Sequence, residues 1–332
     1  MTPNQSPLKI GVVGLGKMGI MHACLLNTMP NVEVQALCDK SRLIRTIAKR
    51  SFKDATVTDS LDKFADLNLD AIYMLTPIPI HYPLIKQIYT KKLAKHIFVE
   101  KTLTSNYNQS AELSTIAQTQ DSITMVGYMK RFSTTFNQAK QLLEEQAIGK
   151  PESFKAYAFS SDFANTPKST PASNARGGVI EDLGSHIADL AVWFFGDLTV
   201  TDTKINSQLS PTSEDDLSFN VTTKQGLPGH FDVSWCKQNY RMPEFNLSIQ
   251  GTTGNLDVND DEVKLTLKNS PPKHWYRHDM NDNVGFLLGG PEYYRENQYF
   301  IQSILSKTPP ESNFKNTLSV DYLLEQVRRQ SK

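Results

Sequence analysis

The sequence predicts an α/β protein in two parts. A doubly wound parallel sheet is expected over residues 7–126. A second domain with an open, mainly antiparallel sheet is expected over 127–332. Three observations carry this. The length, 332 residues, suits two domains with ample core. Over the first 125 residues or so, apolar strand-like runs alternate with helix-compatible segments. After residue 198, short strands follow one another with turn residues between them.

The first strand, Ile10 to Val13, runs into Gly14-Leu15-Gly16-Lys17-Met18-Gly19, and a helical segment, Ile20 to Leu26, follows. This is G-x-G-x-x-G between a strand and a helix. Gly14 allows the tight turn, Gly16 lets a pyrophosphate approach the backbone, and Gly19 lets the helix pack on the strand. Gly14, Gly16, Lys17, Met18 and Gly19 would then cradle a dinucleotide at a helix N-terminus, where free N–H groups favour negative charge. A second strand, Val32 to Cys38, ends at Asp39, twenty residues past Gly19, where a carboxylate can hold a ribose 2′-hydroxyl. An ordinary turn with a surface aspartate accounts for the pattern less well.

The remaining elements follow in order. Ser41 to Phe52 reads as a helix, and Asp59-Ser60 can cap a short one through Phe64. Asp70 to Leu75 is a buried strand ending in Thr76-Pro77, and His81 to Lys91 is helical. His96 to Val99 is a strand ending in Glu100-Lys101. Ser105 to Gln120 is a helix, and Ile123 to Gly127 a strand. In parallel sheets ligands bind beyond the strands' C-terminal ends, so Gly14, Asp39, Thr76-Pro77 and Glu100-Lys101 share one rim. In the second part, Ser133–Gln146 is helical and Pro151–Ser161 a strand. Residues 162–176 form a polar loop. One strong helix spans Ile180–Phe195. Strands are expected at Thr199–Ser207, Asp216–Thr223, Gly229–Cys236, Phe245–Gln250, Asn255–Val258 and Glu262–Leu267, as an antiparallel meander. Residues 268–290 are a long loop and a candidate binding loop. Helices over Tyr293–Leu305 and Thr317–Gln330 close the chain.

Composition narrows the function. Lys+Arg and Asp+Glu both total 35, so charge gives no footprint for nucleic acid or an anionic membrane. No apolar run is long enough to span a bilayer, and the start, MTPNQSPLK, lacks the apolar core of a signal peptide. Cys24, Cys38 and Cys236 are widely spaced and form no C-x-x-C. They read as buried, reduced thiols, and the expected location is cytoplasmic.

The second informative stretch is Gly177-Gly178-Val179-Ile180-Glu181-Asp182-Leu183-Gly184-Ser185-His186. Asp182 and His186 are four apart and share a helix face, with Asp189 one turn further. A capped amphipathic helix whose histidine merely satisfies Asp182 is the bland alternative. Lys101 likewise reads either as a strand-end surface cation or as part of a site.

On these residues the sequence resembles the Gfo/Idh/MocA oxidoreductases over essentially its whole length. The resemblance rests on G-x-G-x-x-G, Thr76-Pro77 with His81, Glu100-Lys101 and Gly127-Tyr128-Met129-Lys130-Arg131-Phe132. It rests also on Gly177-Gly178 with Asp182 and His186, and on residues 249–256, IQGTTGNL. It implies a Rossmann domain and an open antiparallel sheet on which a homodimer or homotetramer is often built. It implies NAD (NADP possible) as cofactor, bound by the glycine motif, Asp39, Thr76, Pro77, His81, Glu100 and Lys101. The implied substrate is a sugar, inositol (or other polyol) or nucleotide sugar, and no metal is implied. The family's usual Glu-Lys-Pro is here Glu100-Lys101-Thr102. Its proline commonly fixes a cis bond, whereas a cis bond before threonine costs roughly 3–4 kcal/mol, so a trans Lys101–Thr102 bond is expected.

Oxidising a secondary alcohol moves hydride to the nicotinamide and a proton to a base, and histidine titrates in the useful range. His186 is the expected base. Lys101 would stabilise developing alkoxide charge, and Asp182 would orient substrate hydroxyls or the imidazole. These three are expected to face one cleft. Tyr128, Arg131, the 162–176 loop, Trp275, Tyr276, Tyr293 and Tyr294 are further candidate contacts, and core packing is the plainer role for most of the aromatics. Two alternatives stay open: glycoside cleavage with transient use of NAD, and a non-catalytic NAD-sensing protein.

Overall fold

The protein is described from a computed structural model, in which residues 6–164, 177–206, 214–280, 284 and 290–330 are the described ones. The chain forms two compact units: Met1–Tyr128 with Val284–Leu318, and Met129–Asn283 with Ser319–Lys332. The segment after 284 thus returns to the first unit, which a single division at 126/127 does not provide for.

The first unit holds a six-stranded sheet in the order β3-β2-β1-β4-β5-β6. The strands are β1 (Leu8–Val13), β2 (Val32–Cys38), β3 (Thr56–Thr58), β4 (Leu69–Met74), β5 (Ala94–Glu100) and β6 (Thr124–Gly127). Every pairing is parallel. Parallel strands need crossovers, supplied here by α1 (Lys17–Leu26), α2 (Arg42–Ser51), α3 (His81–Lys91) and α4 (Tyr107–Thr119). Helix α2 starts where the sequence places a cap: the Ser41 hydroxyl accepts from the Ile44 N–H. The central strands are apolar throughout because both faces are covered; Ile10, Val12, Ile72, Ile97, Phe98 and Val99 are fully buried. Each such side chain contributes roughly 1.5–3 kcal/mol. A later helix, Pro291–Ser306, packs on α1, and Phe300 meets Tyr73 and Phe98 at 5.6 and 5.8 Å between ring centres. Residues 312–314 then bond to β6, through Val126 N–H to Ser312 O (2.8 Å) and Phe314 N–H to Thr124 Oγ1 (3.2 Å).

The second unit begins with α5 (Thr134–Glu144) and contains an eight-stranded sheet, ordered β14-β13-β12-β11-β7-β10-β9-β8. These strands are β7 (Pro151–Phe159), β8 (Leu198–Ile205), β9 (Asp216–Thr223), β10 (Pro228–Ser234), β11 (Glu244–Gly251), β12 (Gly254–Asn259), β13 (Glu262–Leu267) and β14 (Lys273–Tyr276). The pairings are antiparallel except β7 with β10, so the meander is interrupted by one parallel pair. Burial alternates along the strands: Phe154, Ala156 and Ala158 of β7 are buried, while Lys155 is exposed and Tyr157 half-buried between them. One face is therefore core, meeting α5 and α6 (Ser185–Phe195), and the other is polar. Part of the expected 268–290 loop is strand β14 and a single 3₁₀ turn, Arg277–Asp279. The expected polar loop falls outside the described residues over 165–176, as does the long loop over 281–283 and 285–289.

The expected helix Ile180–Phe195 is wound in two ways. Ile180–Gly184 is one π-helical turn, and α6 follows. At Gly184 an added Cβ would lie 2.6 Å from the end of the Ile180 side chain.

Two expectations are corrected. The Lys101–Thr102 bond is cis. The segment that follows is enclosed: Thr102 and Leu103 are fully buried, the Thr102 hydroxyl donates to Thr104 O, and both carbonyls meet His81. The tertiary surroundings, not the residue after Lys101, thus decide the local backbone. The cysteines are free but not all buried: Cys38 is, Cys24 is exposed on the outward phase of α1, and Cys236 is intermediate.

Candidate functional site

Within the first unit, the strand-end rim expected from the sequence is present. Gly14 turns at φ +89°, a conformation that L side chains rarely adopt, and an added Cβ would lie 2.6 Å from Leu75 O. Its N–H continues the β2 pairing by donating to Cys38 O at 2.8 Å. Gly16 caps α1, so Lys17 and Met18 lie in the first turn, whose N–H groups have no intrahelical acceptor. Gly19 lies so close to Gly14 that an added Cβ would be 1.8 Å from Gly14 O.

Asp39 is held rigidly. Its Oδ2 accepts from Leu15 N–H and its Oδ1 from Ser41 N–H, both at 2.7 Å, which fixes the carboxylate against the glycine turn. Arg45 donates to the Asp39 and Lys40 carbonyls, each at 2.8 Å, and so braces the loop. These groups border a cavity of about 450 Å³ lined by Val13, Gly14, Asp39, Lys40, Thr76 and Pro77 on one side. Asp59, Ser60, Leu61, Ile80, Pro83, Leu84 and Gln87 complete it. The volume is that of a small-molecule site, and the mixture of apolar walls and a fixed carboxylate suits a nucleoside. Cys38 also lines it, and burial pushes its thiol up to about 11, so it is a neutral wall residue. The contributions of residues 59–61 and of Pro83, Leu84 and Gln87 escaped the sequence reading. The end of the three-residue β3 was the signal for 59–61, and the first turns of α3, next to Thr76-Pro77, that for the others.

Glu100 ends β5 and Lys101 follows it. Glu100 accepts from its neighbour's Lys101 N–H at 3.2 Å, and its other oxygen lies 3.1 Å from His22 Nε2. His22 Nδ1 lies 2.8 Å from Asn297 Oδ1, and Tyr293 meets the His22 ring edge-on at 5.8 Å. Thus Glu100 braces the backbone of Lys101 from inside the unit. His22, Glu100 and Glu296 have donor atoms within 4.8 Å of one another, but both His22 ring nitrogens are already engaged. His22 was not anticipated. Its signal was a histidine on the inward face of α1, three residues past Gly19. His81 is fully buried and lies outside the lining of the cavity, bonded instead to backbone carbonyls of two rim segments.

In the second unit, Gly177 and Gly178 adopt φ +82° and +116°, and an added Cβ at Gly178 would lie 2.3 Å from the Glu214 carboxylate. They lead into the π turn carrying Asp182, whose Oδ2 accepts from Trp235 Nε1 at 3.1 Å. His186, 8% exposed, packs edge-on against Phe245 at 5.1 Å. The Lys130 ammonium lies over the Phe245 ring at 4.4 Å from its centre, and Lys130 is bonded to Asp260. Phe245 thus packs between an imidazole edge contact and a lysine cation–π contact. Arg131 grips fully buried Asp189 through three contacts of 2.6–3.1 Å. Burial raises the Asp189 pKa against the pull of Arg131. The Arg131–Asp189 pair thus binds the 3₁₀ turn Met129–Phe132 to α6. Tyr128 is buried, and Tyr276 lies in a row between His274 and His278 on and after β14.

A parallel sheet in the order 3-2-1-4-5-6, a glycine turn at its first helix and a fixed carboxylate after its second strand define a dinucleotide-binding domain. Residues 8–128 match the oxidoreductase family with an NAD-binding Rossmann fold, and residues 136–257 match the Gfo/Idh/MocA C-terminal domain. The chain belongs to the Gfo/Idh/MocA oxidoreductase family. An uncharacterised oxidoreductase of Schizosaccharomyces pombe is 28% identical over 296 residues, 85% of this chain and 79% of that one. The myo-inositol 2-dehydrogenase of Thermotoga maritima is 26% identical over 193 residues, 57% of this chain and 55% of that one. The match thus spans little more than half of that relative's length. Levoglucosan dehydrogenase in complex with NADH and levoglucosan shares the fold, at TM-score 0.86, 18% identity, and coverage of 98% and 97%. Among the described residues, no helix is long and apolar enough to cross a membrane.

Proposed function

We propose that this chain transfers hydride between a nicotinamide cofactor and a secondary alcohol of a sugar, an inositol or a nucleotide sugar. The observation that carries the reading is the rim of the first unit. There Gly14, Asp39 and Thr76-Pro77 border one cavity, and Lys101 directly follows the next strand, β5. The cavity would take the adenosine half of the cofactor, the free N–H groups of α1 its pyrophosphate, and the rim beside β5 its nicotinamide. The cofactor supplies hydride chemistry when bound. Lys101 hydrogen-bonds the reacting oxygen and stabilises alkoxide charge, His186 takes the hydroxyl proton, and Asp182 orients a substrate hydroxyl or the imidazole. The myo-inositol 2-dehydrogenase relative supports a polyol-like substrate.

We further propose a homodimer or homotetramer, as the family resemblance implies, which light scattering on a sizing column would measure. The reaction is tested by incubating the protein with NAD or NADP and a panel of sugars, inositols and nucleotide sugars. Sustained formation of reduced cofactor with one class is the expected result. Release of an aglycone without net reduced cofactor would replace dehydrogenation by glycoside cleavage, and cofactor binding with no turnover would leave a sensor.

A further inference from the structure

Both ring nitrogens of His81 face backbone carbonyl oxygens. Nε2 lies 2.8 Å from Thr76 O, while Nδ1 lies 3.1 Å from Thr102 O and 3.2 Å from Leu103 O. A carbonyl oxygen can only accept, and a neutral imidazole carries one N–H. A neutral ring here sets one nitrogen lone pair against oxygen, in a place with no exposure to water. An imidazolium, with a donor on each nitrogen, satisfies both sides.

We propose that His81 is a positioning residue that works as an imidazolium, strapping the segment after Lys101 to the Thr76-Pro77 turn, and that losing one proton releases one side of the strap. The two segments matter to the same ligand. Thr76 and Pro77 line the dinucleotide cavity, and Lys101 immediately precedes the other anchor. This consequence for the cofactor rests on the reading of Lys101 given above.

The charges around the ring are few. Burial, the largest influence, pulls the pKa below the usual histidine range; the three carbonyls, and then Glu100 at the end of β5, favour the imidazolium. Glu100 is itself shared with His22 of α1. Lys101 stands next to one acceptor, and the first turn of α3 carries no charged side chain. In the unliganded protein the ring therefore holds one proton near neutrality and one strap contact at a time. A cofactor that needs both segments in place binds the doubly protonated form. Its affinity is then fully expressed below the His81 pKa. It falls as pH rises through that pKa, approaching about tenfold per pH unit for one linked proton. Binding raises the pKa in return and draws a proton from solvent.

The test uses the whole protein, labelled with ¹⁵N-histidine, from about pH 5 to 8. Ring nitrogen shifts count the protons on His81 with and without NADH. NADH affinity is titrated by fluorescence over the same range for wild type, His81→Gln and His81→Asn. The expected result is an imidazolium in the NADH complex at a pH where the free protein shows one ring proton. Wild-type affinity should fall with pH, while the variants bind roughly tenfold more weakly at low pH and with a flatter slope, as for a lost hydrogen bond from a charged donor. One fixed neutral tautomer, free and bound, would overturn the proposal, and so would equal pH slopes in wild type and variants. If the variants do not fold, proton uptake on binding, measured calorimetrically in two buffers, decides between the same outcomes. Undiminished turnover of Lys101→Ala would instead remove the catalytic reading of that lysine, without touching the ring-proton result.

Discussion

Gly16→Ala separates what the glycine turn does for the fold from what it does for a ligand. At Gly19 an added Cβ meets Gly14 O at 1.8 Å, and at Gly14 it meets Leu75 O at 2.6 Å, so those substitutions disturb the backbone itself. At Gly16 an added Cβ meets nothing within 4 Å, and φ is −65°. Alanine is a poorer helix cap than glycine, a loss of a few tenths to about 1 kcal/mol. Reduced freedom of the unfolded chain returns about 0.4–1 kcal/mol. Stability should therefore change by less than about 0.5 kcal/mol. If the open space is where a pyrophosphate approaches the helix N-terminus, the methyl intrudes on the ligand instead. Overpacking of that size costs about 1–3 kcal/mol, which is roughly five- to 150-fold in affinity. Thermal unfolding and a fluorescence titration with NADH measure the two quantities on one sample. An alanine variant that melts with the wild type yet binds NADH equally well would refute the assignment of Gly16 to the phosphate.

Further outcomes follow from other contacts. Asp39, fixed by two backbone N–H groups beside the cavity, should make the protein prefer NAD to NADP, because a 2′-phosphate would meet its carboxylate; clearly tighter NADP binding in isothermal titration would sink this. Asp189→Ala leaves the Arg131 guanidinium without its buried partner and should lower stability by about 3–5 kcal/mol in denaturant unfolding; a loss below about 1 kcal/mol would mean that the pair is solvated. Lys101→Ala should cut turnover with a smaller loss of cofactor affinity; the reverse pattern would make it a cofactor ligand alone.

Much of the fold was legible because local signals agreed with one another. The strand of Val32–Cys38 and the helix of His81–Lys91 are read to the residue, since apolar runs and turn residues mark both ends. Pairings distant in sequence were not legible. The parallel partnership of β7 and β10, and the docking of residues 312–314 on β6, leave no local trace. Strands β3 and β14, of three and four residues, are too short for a period to show. Arg131 looked available to a substrate because its partner lies 58 residues away on α6. The Lys101–Thr102 bond went against the local cost because burial around Thr102 and Leu103 is set by the whole unit.

The central claim is that His186 accepts the proton when an alcohol is oxidised by the bound nicotinamide. The direct measurement is the steady-state turnover of His186→Ala with the substrate that the panel identifies, beside its NADH affinity. Loss of a general base predicts a fall of about 10²–10⁴-fold in turnover with NADH affinity close to that of the wild type. Undiminished turnover in this variant would contradict the account and remove histidine from the mechanism.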